Sequence, residues 1–226
     1  MKKYLFSLLA LTCVGSYAQT DAAPVKSIDI YVAPYYSAAN GVPEYVQVYT
    51  KIDALLMKNT RESFQQAVNI VEADPAFVTP MTMYALAARA YDLGLRDEAV
   101  FWYYVGQSRL SMVDHVLDLS KMSMAEYAGF DRLVGAVVNP YAFCRIEKQR
   151  ELQLKAVNWV KSHPYQALFE ASIPSKQQDR QKALADAINN LDKSLADTKA
   201  YFDVAKNRAE FELQRQENKV DQRFCW

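Results

Sequence analysis

The stretch YDLGLRDEAVFWYYVGQ, residues 91–107, decides how this chain is read. The turn LGLRD separates two helical patterns. Gly94 stands where a helix ends, a position that favours the left-handed backbone glycine adopts without penalty. Asp97 and Glu98 suit the positive end of the next helix dipole. Phe101, Trp102, Tyr103 and Tyr104 then put bulk on every side of that helix. Ala99, Trp102, Gly106 and Leu110 share one side; Phe101, Tyr104, Val105 and Met112 lie on another. A helix apolar on most sides is a buried one, so the block is expected to be the spine of the fold. Tyr91, Gly94, Ala99, Trp102 and Gly106 are its structural core, with Gly106 admitting a neighbouring helix. The competing reading is an aromatic wall for a ligand.

Helical periodicity continues on both sides. Thr79 and Pro80 read as N-cap and first residue of a helix with Met83, Leu86, Ala87, Ala90 and Tyr91 on its apolar side. Thr60 caps another, where Phe64, Ala67, Val68 and Val71 keep i, i+3, i+4, i+7 spacing. Ile52, Leu55 and Leu56 form a shorter apolar face. Residues 120–138 predict one or two short helices ending before Asn139-Pro140. The next helix is expected to start near Pro140, with Cys144, Leu152, Val157 and Trp159 among its apolar positions. Ser175 with Gln178 forms a capping-box pattern. Leu184, Ile188, Leu191, Leu195, Thr198, Phe202, Ala205 and Ala209 then follow a heptad seam. No proline or glycine interrupts 175–217, so one helix of about 65 Å is expected. Such a helix must project or pair, and the seam offers a route to self-association.

Residues 64–110 line up as helix, turn, helix, turn, helix, and this resembles the tetratricopeptide and Sel1-like helical repeats. Ala87 and Ala88 stand at the expected crossing, and Tyr91 is the tyrosine late in the first helix. Gly94 is the turn, Glu98-Ala99 opens the second helix, and Trp102-Tyr103 looks like the Sel1 pair. EADP at 72–75 looks like the end of a preceding unit. The Tyr91-to-Ala99 spacing is one residue shorter than in a tetratricopeptide unit, and about one and a half units are visible. The resemblance implies local helix-hairpin packing and a protein-binding role.

Composition agrees with a helical chain. Only 6 of 226 residues are glycine, too few for glycine-rich turns or phosphate loops. Net charge is zero, which argues against a nucleic-acid partner. The first 18 residues have the form of an export signal: Lys2 and Lys3, an apolar run Tyr4–Val14, then Ser16 and Ala18 before a cut at Gln19. The run is too short to span a membrane. Acylation at Cys13 is disfavoured because Thr12 sits where a smaller residue is expected. The signal points to the periplasm of a Gram-negative bacterium, or to secretion. After cleavage Cys144 and Cys225 remain, and in an oxidising compartment they predict one disulfide. The alternative is that Cys144 is a small buried hydrophobe and Cys225 is free.

The expected organisation is a signal at 1–18, an extended arm at 19–50, a helical domain at 51–173 and a long helix and tail at 174–226. The fold class is mostly α, with helical hairpins, a long C-terminal helix and a short extended or β arm. Alternation at 27–36 predicts that strand, with 44–50 as a possible pairing piece. Tyr31, Tyr35, Tyr36, Tyr45 and Tyr49 crowd the arm and are candidates for a partner surface, since tyrosine is favoured at interfaces.

No motif for a nucleophile, a metal cluster or a phosphate loop is present, so neither a catalytic residue nor a cofactor is assigned. Asp114, His115 and Asp118 form the one arrangement resembling a metal or base-and-orienter group, and a metal-dependent hydrolase centred there is the enzyme alternative. The favoured expectation is an envelope protein that binds another protein. An immunity or inhibitor role against a toxin or envelope enzyme is one version, and a structural protein joined through the heptad helix is another.

Overall fold

The computed structural model describes residues 49–121 and 125–225. The export signal with Ala18 and Gln19, Cys13, and the arm residues Tyr31, Tyr35, Tyr36 and Tyr45 lie outside the described residues. So does the strand expected at 27–36. Nine helices are described: α1 Thr50–Met57, α2 Arg61–Ala73, α3 Pro80–Asp92, α4 Arg96–Val116, α5 Ala125–Ala142, α6 Ile146–Ser162, α7 Arg180–Asp203, α8 Ala205–Glu217 and α9 Val220–Phe224. The fold is mostly α. Among the described residues the β structure is one antiparallel bridge, Leu117 with Ser175.

Local signals set the first half. The Thr60 side chain accepts from the Ser63 amide while Ser63 accepts from Thr60, capping α2 in both directions. Thr79 accepts from the Thr82 amide, with Pro80 at the first position of α3. Gly94 adopts φ +75°. Around it Leu95 N–H donates to Ala90 O at 2.8 Å and Gly94 N–H to Tyr91 O at 3.1 Å. These paired bonds satisfy carbonyls that the end of α3 leaves open.

α4 is the centre of the packing. It contacts α3, α5, α6 and α7, and Val100 to Gly106 are all buried. Trp102 is 0% exposed and stands edge-on to Phe101 and Trp159, with ring centres 5.0 and 5.6 Å away. At Gly106 α3 comes so close that an added Cβ would lie 2.6 Å from Tyr84 Cε1.

Three expectations for the second half are corrected. Pro140 does not start a helix; α5 runs through it to Ala142, and α6 begins at Ile146. Ser175 does not cap α7. Its hydroxyl donates to Val116 O in the bridge beside α4, and Asp179 caps instead, accepting from the Lys182 amide at 2.9 Å. The long C-terminal helix is not continuous. It stops at Asp203, Val204 is extended, and α8 and α9 follow.

The break has a geometric cause. Phe202 and Phe211 are nine residues apart, so an unbroken helix would set them on opposite faces. With the break, both meet Phe143, at 5.9 and 5.4 Å, and each other at 5.1 Å. Half of the heptad seam is used inside the chain: Leu184, Ile188 and Leu191 pack against the core and Phe202 is buried, while Leu195 and Thr198 are half-buried and Ala205 and Ala209, past the break, are exposed.

Candidate functional site

Each member of the Asp114, His115 and Asp118 group has a polar partner of its own. Lys176 Nζ donates to Asp114 Oδ1 at 3.1 Å. His115 Nε2 faces Asn190 Nδ2 at 3.2 Å on α7. Asp118 accepts from the Ser120 amide and hydroxyl. Among the described residues no three His, Cys, Asp or Glu side chains group as metal ligands. His163 follows α6; its Nδ1 lies 2.8 Å from Trp159 O, and its ring stacks on Trp159.

Of the candidate partner tyrosines, Tyr49 is described. It is half-buried. Its amide donates to Thr82 Oγ1 at 3.2 Å and its hydroxyl to Asp74 at 3.3 Å. It therefore fixes the entry of the chain onto the corner between α2 and α3. Tyr91, Ala99, Trp102 and Gly106 belong to or pack on the core, and Gly94 makes the exposed turn between α3 and α4.

A polar network lies inside the bundle. Gln107 Nε2 donates to the Tyr103 hydroxyl at 2.7 Å, Gln149 Nε2 to the Tyr104 hydroxyl at 2.9 Å, and Tyr104 to Asn139 at 3.3 Å. Gly135 makes the room: a Cβ there would meet the Tyr103 hydroxyl oxygen at 2.4 Å. Burial pushes the Tyr104 phenol up to about 12, against the Gln149 bond. Burial first, then the Asp131 charge, hold the Tyr84 and Tyr103 phenols far above the usual range. These are neutral phenols at any ordinary pH, suited to holding helices together rather than to proton transfer.

Arg109 is the second internal polar group and is fully buried. It donates to Val78 O before α3 and to His163 O after α6. Its guanidinium lies 4.9 Å from the Trp159 ring centre and 5.0 Å from that of Tyr165. Burial lowers its pKa to about 10, so it stays a cation at neutral pH. Two carbonyl dipoles and two ring faces surround the charge.

Two surface features remain. An open groove of about 630 Å³ runs between α6 and α7, with Leu154, Leu195 and Ala196 as its apolar part and Glu147, Arg150 and Lys199 along its sides. Leu154 is 50% exposed. At the other end of the C-terminal half, Cys144 and Cys225 form a disulfide with Cα atoms 5.5 Å apart. Arg215 lies against it.

Sequence reasoning missed Arg109, Gln149 and Arg215. Arg109 carried a signal, since it shares a helical stripe with Val105 and Met112. Gln149 did too, on the stripe of Leu152 and Ala156. Arg215 stands in a run of charges and carried none.

No family model matches the chain, and no solved structure matches it. An uncharacterized protein of Haemophilus influenzae is 47% identical over 203 residues, which are 90% of this chain and 80% of that protein. The chain belongs to the same family as that Haemophilus influenzae protein.

Proposed function

We propose that this protein is exported to the cell envelope and acts there as a helical module that binds another protein. The Cys144–Cys225 bridge carries the location, because such bonds persist in oxidising compartments. The leader pattern at 1–18 agrees with it, and no described helix is long and apolar enough to cross a membrane. The groove between α6 and α7 supports the binding role. Its apolar stretch with charged sides is the anatomy of a contact patch. The tetratricopeptide-like pattern of the α3–α4 hairpin is in keeping with an interaction scaffold.

Two measurements test this reading. Fractionation should recover the chain from the envelope, cut after Ala18, with Cys144 and Cys225 oxidised; an uncut, reduced cytoplasmic chain sinks the location. Cross-linking in intact cells should capture a protein that Leu154→Glu no longer captures, with the thermal midpoint unchanged because Leu154 is half-exposed. Equal capture by the variant removes the groove as the contact.

A further inference from the structure

The environment of the Cys144–Cys225 bridge differs from that of an inert structural staple. Arg215 Nη2 lies 3.4 Å from Cys225 Sγ and 3.6 Å from Cys144 Sγ. The Arg215 side chain is 9% exposed, and it is held in place by Pro140 O at 3.0 Å and by Asp221. Cys144 stands between the end of α5 and the N-cap of α6, with its Sγ 3.7 Å from Pro140 O. A fixed guanidinium favours a thiolate over a thiol. The two sulfurs are not equivalent. Asp221 Oδ1 lies 3.4 Å from Cys225 Sγ and opposes negative charge there. Cys225 is exposed, whereas Cys144 is half-buried.

Little else ties down the segment that the bridge secures. Arg215 is the buried residue of α8, and α9 has none. Phe211 is half-buried against Phe143 and Phe202, and Arg208 reaches Glu147 at 2.8 Å across an exposed surface. An open pocket of about 340 Å³ lies between the segment and the α5–α6 junction.

We propose that the Cys144–Cys225 bridge is a thiol-exchange site and a latch, whose reduction by a dithiol releases α8 and α9 from the α5–α6 junction. One thiolate of the dithiol attacks Cys225 Sγ. A sulfur–sulfur bond forms to Cys225, the bond to Cys144 breaks, and Cys144 leaves with the electron pair as a thiolate beside Arg215. The second thiolate of the dithiol then displaces Cys225 and closes the reductant's own disulfide. Two electrons pass to the protein, and two protons complete the thiols. A leaving thiolate that is already stabilised departs faster, and this is what Arg215 contributes. Release uncovers Phe143 and Phe202, an aromatic surface that the latched segment covers with Phe211. The inference does not depend on where the protein resides.

The test uses the whole oxidised protein with dithiothreitol, following reduction by alkylation and mass measurement. Arg215→Gln should slow reduction by about tenfold, and Arg215→Lys should restore most of the rate. If Arg215 only shields the bridge, Arg215→Gln reduces as fast as the parent or faster, and the proposal fails. Amide hydrogen exchange after reduction should lose protection in 205–225 and keep it in α3 to α6. Protection retained in 205–225, or lost throughout the chain, overturns the latch.

Discussion

At the residue scale, two glycines separate backbone needs from packing needs. Gly94 has room for a Cβ, whose nearest neighbour would be Arg61 Nη2 at 3.9 Å, but its φ is +75°. Gly94→Ala should therefore cost about 1 kcal/mol through backbone strain alone. Gly106 sits in ordinary helix, where alanine is intrinsically better by about 1 kcal/mol. Its Cβ, however, would overlap the Tyr84 ring and lie 3.2 Å from Pro80 O. Overpacking of about 1–3 kcal/mol wins over propensity, so Gly106→Ala is expected to destabilise; a rise in stability in urea unfolding contradicts this. Trp102→Ala leaves a hole at the centre of the bundle and should cost about 3–5 kcal/mol. A variant that melts like its parent and loses a binding partner would restore the reading of the aromatic block as a ligand wall.

At the element scale, α3, α4 and α6 are joined through tyrosines that stay neutral in the folded state. In the unfolded chain a phenol ionises near pH 10. In the folded state burial holds Tyr104 at about 12 and Tyr84 and Tyr103 higher still. Above pH 10 the folded state thus keeps protons that the unfolded state has lost. Stability falls as pH rises through this window and is unaffected by these groups below it. Base titration followed at the phenolate absorbance should show these tyrosines ionising together with loss of helical ellipticity, between about pH 10 and 12. Smooth ionisation of all tyrosines ahead of unfolding would show that burial does not protect them. The α7–α8 break belongs to the same scale. Periodicity and the absence of proline and glycine predicted one helix, because the local sequence has no reason to stop. The reason is the non-local meeting of Phe143, Phe202 and Phe211.

At the scale of the whole molecule, Arg109 joins segments far apart in the chain, the loop before α3 and the end of α6, from the centre of α4. Arg109→Met removes both carbonyl partnerships, that of the buried Val78 O and that of the partly buried His163 O. Loss of two charged hydrogen bonds should cost about 3 kcal/mol, seen as a lower denaturation midpoint with unchanged slope. A neutral result would mean that water replaces the guanidinium.

The sequence by itself determined most of the first half: the caps at Thr60 and Thr79, the turn at Gly94 and the buried faces of α2, α3 and α4. Each of these follows from interactions within one or two helical turns, where side-chain type and spacing decide the outcome. The pairing of Cys144 with Cys225 was also legible: of the three cysteines, Cys13 falls in the expected export signal, and the other two leave one intramolecular choice. Only the tertiary structure decided the start of α6, the cap of α7, the break at Val204 and the fate of Asp114, His115 and Asp118. Ser175 is drawn to Val116, Phe202 to Phe143, Asp114 to Lys176 and His115 to Asn190, each from a distant part of the chain, whereas Asp118 turns to the nearby Ser120. A residue's spacing along the chain says nothing about which remote group will satisfy it. Arg215 is the clearest case: in sequence it is one charge among many, and the fold sets it against the disulfide.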